Sequence, residues 1–132
     1  MYSIPKDGDI VLAIRNVLAR YKVIRSQREL RERVERELNF GGGNFHAGGT
    51  RIRMLAVISG VATLKVHTKT DGKAGRMDSC PVCRGELKAS RNMTVYGKTV
   101  TVGYRCAKCE YWTGADDIRR PSRYEFRLRK RR

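Results

Sequence analysis

The stretches Cys80-Pro81-Val82-Cys83 and Cys106-Ala107-Lys108-Cys109 lie 22 residues apart and contain all four cysteines of this 132-residue chain. Two C-x2-C knuckles at this separation let four thiolates close a tetrahedron around one ion, which is the pattern of a structural zinc site. With Cys80, Cys83, Cys106 and Cys109 all engaged, no position stays open for water. One structural Zn2+ is therefore expected, holding the fold rather than reacting. Gly85, two residues after Cys83, is expected at positive φ so that backbone amides turn toward the sulfurs.

Iron held by the same two knuckles is the rival reading, but rubredoxins usually place Gly directly after the second cysteine, where this chain has Arg84 and Glu110. Disulfides fit less well, because C-x2-C pairs close small strained loops unless they are redox active. Between the knuckles, Asn92 to Tyr104 reads as a hairpin, with strands Met93–Tyr96 and Thr99–Val102 and a turn at Gly97-Lys98. Tyr111-Trp112 is expected to close the small core. Knuckle, hairpin, knuckle resembles a zinc ribbon, over residues 76–118.

The aliphatic residues are concentrated before position 70, and the composition shifts over 70–79, which favours two small domains over one. A module with so few aliphatics needs a staple, and the knuckles supply it. The net charge of +16 comes from 29 Lys and Arg against 13 Asp and Glu. It is shared by both halves, +6 over residues 1–72 and +10 over 73–132, so a polyanion is the expected partner. Arg outnumbers Lys 20 to 9, which suits bidentate contacts to phosphate and guanine. No apolar run or leader pattern indicates a membrane or secreted protein, and paired thiols fit a reducing compartment, so the cytoplasm is expected.

In the first half, Ile10, Ile14, Val17, Leu18 and Tyr21 recur at helical spacing after Asp7-Gly8-Asp9, predicting a helix over 7–21. Val23-Ile24 fits a short edge strand. Ser26 to Glu29 reads as a capping box before a helix carrying Leu30, Val34 and Leu38, whose alternating charges form a solvated face. Residues 39–49 hold five glycines and read as a flexible turn, pinned by Phe40 and Phe45; no Gly-Lys-Ser/Thr ending makes it a phosphate loop. Thr50 is placed to cap a third helix running to Ser59, although Arg51 to Leu55 also alternates as a strand would. Residues 61–70 alternate cleanly, with Ala62, Leu64 and Val66 on one face and Lys65, His67 and Lys69 on the other. Asp71-Gly72 then opens a basic, mobile loop.

This order resembles a winged helix-turn-helix domain over residues 1–75, giving an α+β fold followed by the small β ribbon. The resemblance implies that Thr50, Arg51 and Arg53 make recognition-helix contacts and that Lys69, Lys73 and Arg76 make wing contacts. Lys65 lies on the same basic strand face. Residues 119–132 form a basic tail, partly disordered, with Arg123, Arg127 and Arg129 as phosphate contacts. Tyr124, Phe126 and Leu128 alternate with them, so its first half is also suited to a strand.

As a whole the chain is similar to small archaeal proteins that join a winged helix to a C-terminal C4 zinc ribbon. The residues that carry this are Arg51-Ile-Arg-Met-Leu-Ala, Cys80-Pro-Val-Cys83, Asn92-Met-Thr-Val-Tyr-Gly97, Gly103-Tyr-Arg-Cys106 and Tyr111-Trp-Thr-Gly114. The resemblance implies DNA binding and transcription regulation, with double-stranded DNA as first partner. RNA is the second candidate, a transcription-machinery protein docked on the ribbon the third, and a homodimer is a further option. No catalytic constellation is visible: His46 and His67 stand apart from any nucleophile, so no enzyme is expected.

Overall fold

Helix α1 (Asp7–Tyr21) opens the fold of this computed structural model, which describes residues 3–130. Ile10, Ile14, Val17 and Leu18 are buried as the spacing predicts, together with Ala13, whereas Tyr21 at the helix end is 40% exposed. Lys22, at φ 66°, ends the helix with its amide donating to the Leu18 carbonyl. Strand β1 (Val23–Ile24) follows.

Half of the expected capping box holds helix α2 (Gln27–Leu38): the Ser26 hydroxyl accepts from the Glu29 amide at 3.1 Å. The Glu29 carboxylate turns to Arg33, at 3.1 Å, instead of the Ser26 amide. Helix α3 (Gly49–Ile58) resolves the choice at residues 51–55 in favour of a helix. Ile52 and Ala56, one helical turn apart, are both buried where α3 packs on α1 and α2. Its N-cap is Gly48 with no side-chain cap, so Thr50 lies inside the first turn instead of capping it. Ile10, Ile14, Leu18, Leu30, Val34 and Ile52 have no exposed surface, and each such side chain stabilises the helical core by about 1.5–3 kcal/mol.

The glycine-rich turn is held by a side chain and not by the aromatic pair expected. The Asn39 amide group accepts from the Phe45 N–H at 2.6 Å and donates to the Phe45 carbonyl at 3.0 Å. Ser3 bridges the same loop, and the Ala47 amide donates to Glu35 at 3.1 Å. Phe40 is 89% exposed and pins nothing. Asn39 can do this because its side chain mimics a peptide group.

Among the described residues there are two three-stranded sheets. The first has the order β1-β6-β2, where β2 is Ala62–Thr70 and β6 is Arg119–Leu128. Ala62 and Leu64 of β2 are buried while Lys65 and Lys69 are exposed, as their alternation predicts. The basic tail is thus the middle strand, paired antiparallel with β1 in the register Val23↔Arg127 and Ile24↔Phe126. Apolar residues at every second position make the segment a strand, and burial of Phe126 fixes its place. Arg131 and Arg132, the end of the expected disordered tail, lie outside the described residues.

The chain forms two compact units, one from the described residues up to Lys65 together with those from Arg123 on, the other Val66–Ser122. The expected boundaries, 1–75, 76–118 and 119–132, rest on the composition shift, the knuckles and the winged-helix resemblance. In the fold the chain enters the second unit through β2 and leaves it through β6.

The second unit carries the sheet β3-β4-β5, comprising Leu87–Met93, Thr99–Cys106 and Trp112–Gly114. The hairpin turn falls at Gly97 (φ 80°), as expected, with the Gly97 amide donating to Thr94 at 3.0 Å. Val95 and Tyr96 belong to this turn and not to the strand predicted for them, while β3 extends back to Leu87. That extension is polar and almost wholly exposed, so its pairing rests on the backbone ladder and leaves no hydrophobic alternation to read. The loop after Asp71 is tied down: Gly75 donates to the Ala115 carbonyl at 3.1 Å, and Ile118 to that of Lys73 at 2.9 Å.

Candidate metal centre and basic surfaces

All four cysteine sulfurs lie within 4.8 Å of one another, with Cys80 to Cys109 at 3.6 Å and Cys83 to Cys106 at 3.5 Å. A tetrahedral ion with metal–sulfur bonds of ~2.3 Å sets sulfurs roughly 3.8 Å apart, so the cage has the right size for a single ion. Cys80, Cys83 and Cys106 are buried, and none of the four is in a disulfide.

Local backbone geometry builds the cage. The amide of Val82 points at Cys80 Sγ from 3.4 Å, and those of Lys108 and Cys109 at Cys106 Sγ from 3.4 and 3.5 Å. The backbone amides of Gly85 and Tyr111 favour the thiolates of Cys83 and Cys109. These donors stabilise thiolate charge and orient the ligands. The positive φ expected at Gly85 falls instead on Arg84, at 59°. Glycine suits position 85 for room, since a Cβ there would stand 3.2 Å from Cys83 Sγ and press on the sulfur.

The thiols are unequal when they share only protons. A hydrogen bond from Cys109 holds Cys80 down at about 5, which keeps the Cys109 proton in place and pushes that thiol up. Burial pushes Cys83 up to about 11. A cation satisfies all four at once.

Behind the knuckles, Tyr111 is buried and its hydroxyl donates to the Arg119 carbonyl, while burial raises its pKa. Thr113 accepts the Arg119 amide at 2.7 Å. Tyr111 immediately precedes β5, and successive residues of an extended segment face opposite ways, so only one of Tyr111 and Trp112 can enter the core. Trp112 is 49% exposed, contrary to the expected closing pair.

The basic residues singled out in the sequence do not share one setting. Thr50 is exposed at the start of α3. Arg51 reaches the Pro5 carbonyl at 2.8 Å and Asp7 at 2.7 Å, and Arg53 bonds Gln27 and lies over the Tyr124 ring at 4.8 Å. Lys65, Lys69, Lys73, Arg76, Arg123, Arg127 and Arg129 are exposed. Arg76 lies 3.7 Å from Asp78, and Arg123 lies 3.8 Å from Glu125. His46 stands 3.5 Å from Glu35, and the His67 carbonyl accepts from Ser122 at 3.0 Å.

Residues outside that set also gather. Arg105 pairs across the ladder with Lys88 on one side and Trp112 on the other, and the Arg119 guanidinium stacks over the indole at 4.0 Å. The signal for this row was Trp112 beside Tyr111, which alternation sends to the opposite face.

Compared with protein-family models, with curated proteins and with solved structures, the chain matches none. Among the described residues, no helix is long and apolar enough to cross a membrane.

Proposed function

We propose that the chain is a zinc-stapled nucleic-acid-binding protein of the cytoplasm, a double-stranded DNA-binding regulator of transcription and not an enzyme. The observation that carries this reading is the net charge of +16, spread over both halves of the chain, with exposed Lys65, Lys69, Lys73, Arg76, Arg123 and Arg127 among its carriers. Such a surface favours a polyanion and makes affinity salt-dependent. Three helices with the sheet order β1-β6-β2 support a winged helix-turn-helix, with β2 and β6 as the wing strands and a zinc ribbon inserted between them. Thr50, Arg51 and Arg53 are the proposed contacts from α3. Duplex binding by the two arginines exchanges their partners, Asp7 and Gln27, for phosphate or base edges.

Four thiolates in a closed cage favour zinc over other divalent ions, and the ion's part is structural. A salt titration of duplex binding tests the function: log affinity should fall with log salt, with a slope of about −0.9 for each phosphate engaged. Competition between duplex DNA and structured RNA at one salt concentration then separates the first reading from an RNA-associated role. Stronger retention on RNA, or salt-insensitive binding, would replace the DNA reading.

A further inference from the structure

We infer that the exposed face of the second unit's sheet is a stacking platform for an unpaired base of single-stranded nucleic acid. The inference rests on the nucleic-acid reading above and deepens it, by giving the ribbon a ligand contact of its own. Lys88, Arg105 and Trp112 stand opposite one another on β3, β4 and β5, so all three share a face. Neighbouring strands are about 4.8 Å apart, which sets the three in a short row beside an open aromatic plane.

Charge and packing define the occupant. Tyr111 and Thr113 fill the inner face, leaving Trp112 on the outer face with half its surface free. Arg119 braces the indole at 4.0 Å, and a further hydrogen bond of 3.4 Å to the Thr68 hydroxyl positions its guanidinium. An aromatic ring backed by arginine and flanked by two exposed cations offers a base its π-face and the adjoining phosphates their counter-charges. A base locked in a duplex has both faces covered, so the platform takes an unstacked one. The same chemistry serves DNA and RNA.

Trp112 is the chain's single tryptophan, so its emission reports this site alone. The test uses the full metal-loaded chain with a dye-labelled oligo(dT) or oligo(U) of about twelve nucleotides. Binding is followed by the anisotropy of the dye and stacking by quenching of Trp112. Quenching that saturates with binding, and at least a tenfold loss of affinity in Trp112→Ala with most affinity kept in Trp112→Phe, is the expected result. Lys88→Ala with Arg105→Ala, both at exposed positions, should flatten the single-strand salt slope by about 1.4. Metal content equal to the parent's verifies each variant's fold. The oligo(dT) and oligo(U) arms rank the two sources. Single-strand binding without quenching, or equal affinity in Trp112→Ala, overturns the platform while leaving duplex binding intact. No binding to any nucleic acid overturns both proposals.

Discussion

Ile24 and Phe126 face each other across the β1–β6 ladder, both with no exposed surface, although they come from opposite ends of the chain. The pair closes the first unit: without β6, Ile24 would lose its partner and β1 the only neighbour it has in the sheet among the described residues. Phe126→Ala should therefore cost about 3–5 kcal/mol, and removal of residues 123–132 should abolish cooperative unfolding of the helical unit. Urea titration followed by circular dichroism measures both. An unchanged midpoint for Phe126→Ala would show that the strand is dispensable.

Reduced protein should carry one zinc ion per chain, and a chelator that strips it should melt the second unit while the aliphatic core of the first persists. Among the described residues the second unit's buried side chains are mainly Cys80, Cys83, Cys106, Val82, Tyr111 and Thr113, too small a core to hold without the ion. Loading should also be pH-dependent. Cys83, pushed up to about 11, and Cys109, pushed up by its bond to Cys80, are protonated near neutrality without metal. Binding must release those protons, so affinity falls as pH falls, and a metal titration in weakly buffered solution detects the release.

Asn39→Ala removes both hydrogen bonds to Phe45 and should cost about 1–3 kcal/mol, more than Phe40→Ala, whose ring is solvated. Thermal unfolding of the two variants side by side gives the comparison. Asn39→Asp keeps the acceptor for the Phe45 amide and should recover part of the loss.

Arg51→Ala with Arg53→Ala should weaken duplex binding and relax sequence preference, whereas Arg127→Ala with Arg129→Ala should lower affinity uniformly and flatten the salt slope. Because Arg51 and Arg53 also tie α3 to Asp7 and Gln27, stability must be measured with affinity. Equal losses on every sequence from both pairs would remove α3 from the recognition surface and leave its arginines a positioning role.

Much of the local structure was legible. Apolar residues at intervals of three and four marked α1 and α2, the Ser26 cap marked the start of the latter, and alternation marked β2. α3 was ambiguous, because Arg51 to Leu55 satisfies both periods, and only packing of Ile52 and Ala56 against α1 and α2 chose between them. The polar β3 carried no signal, being held by the hydrogen bonds of its neighbour. At the metal centre the ligands were readable from spacing, yet the left-handed residue was Arg84 and not Gly85, since φ answers to the turn while glycine answers to the sulfur beside it.

By itself the sequence determined the four-sulfur cage, the two capped or amphipathic helices and the strong positive charge, because thiol spacing, helical period and net charge act over short stretches or need no geometry. Only the tertiary structure decided that the basic tail is a central strand, that Arg51 and Arg53 hold internal partners, and that Trp112 looks outward beside Lys88 and Arg105. Those outcomes depend on which remote segments bury one another best, a competition that no local pattern encodes.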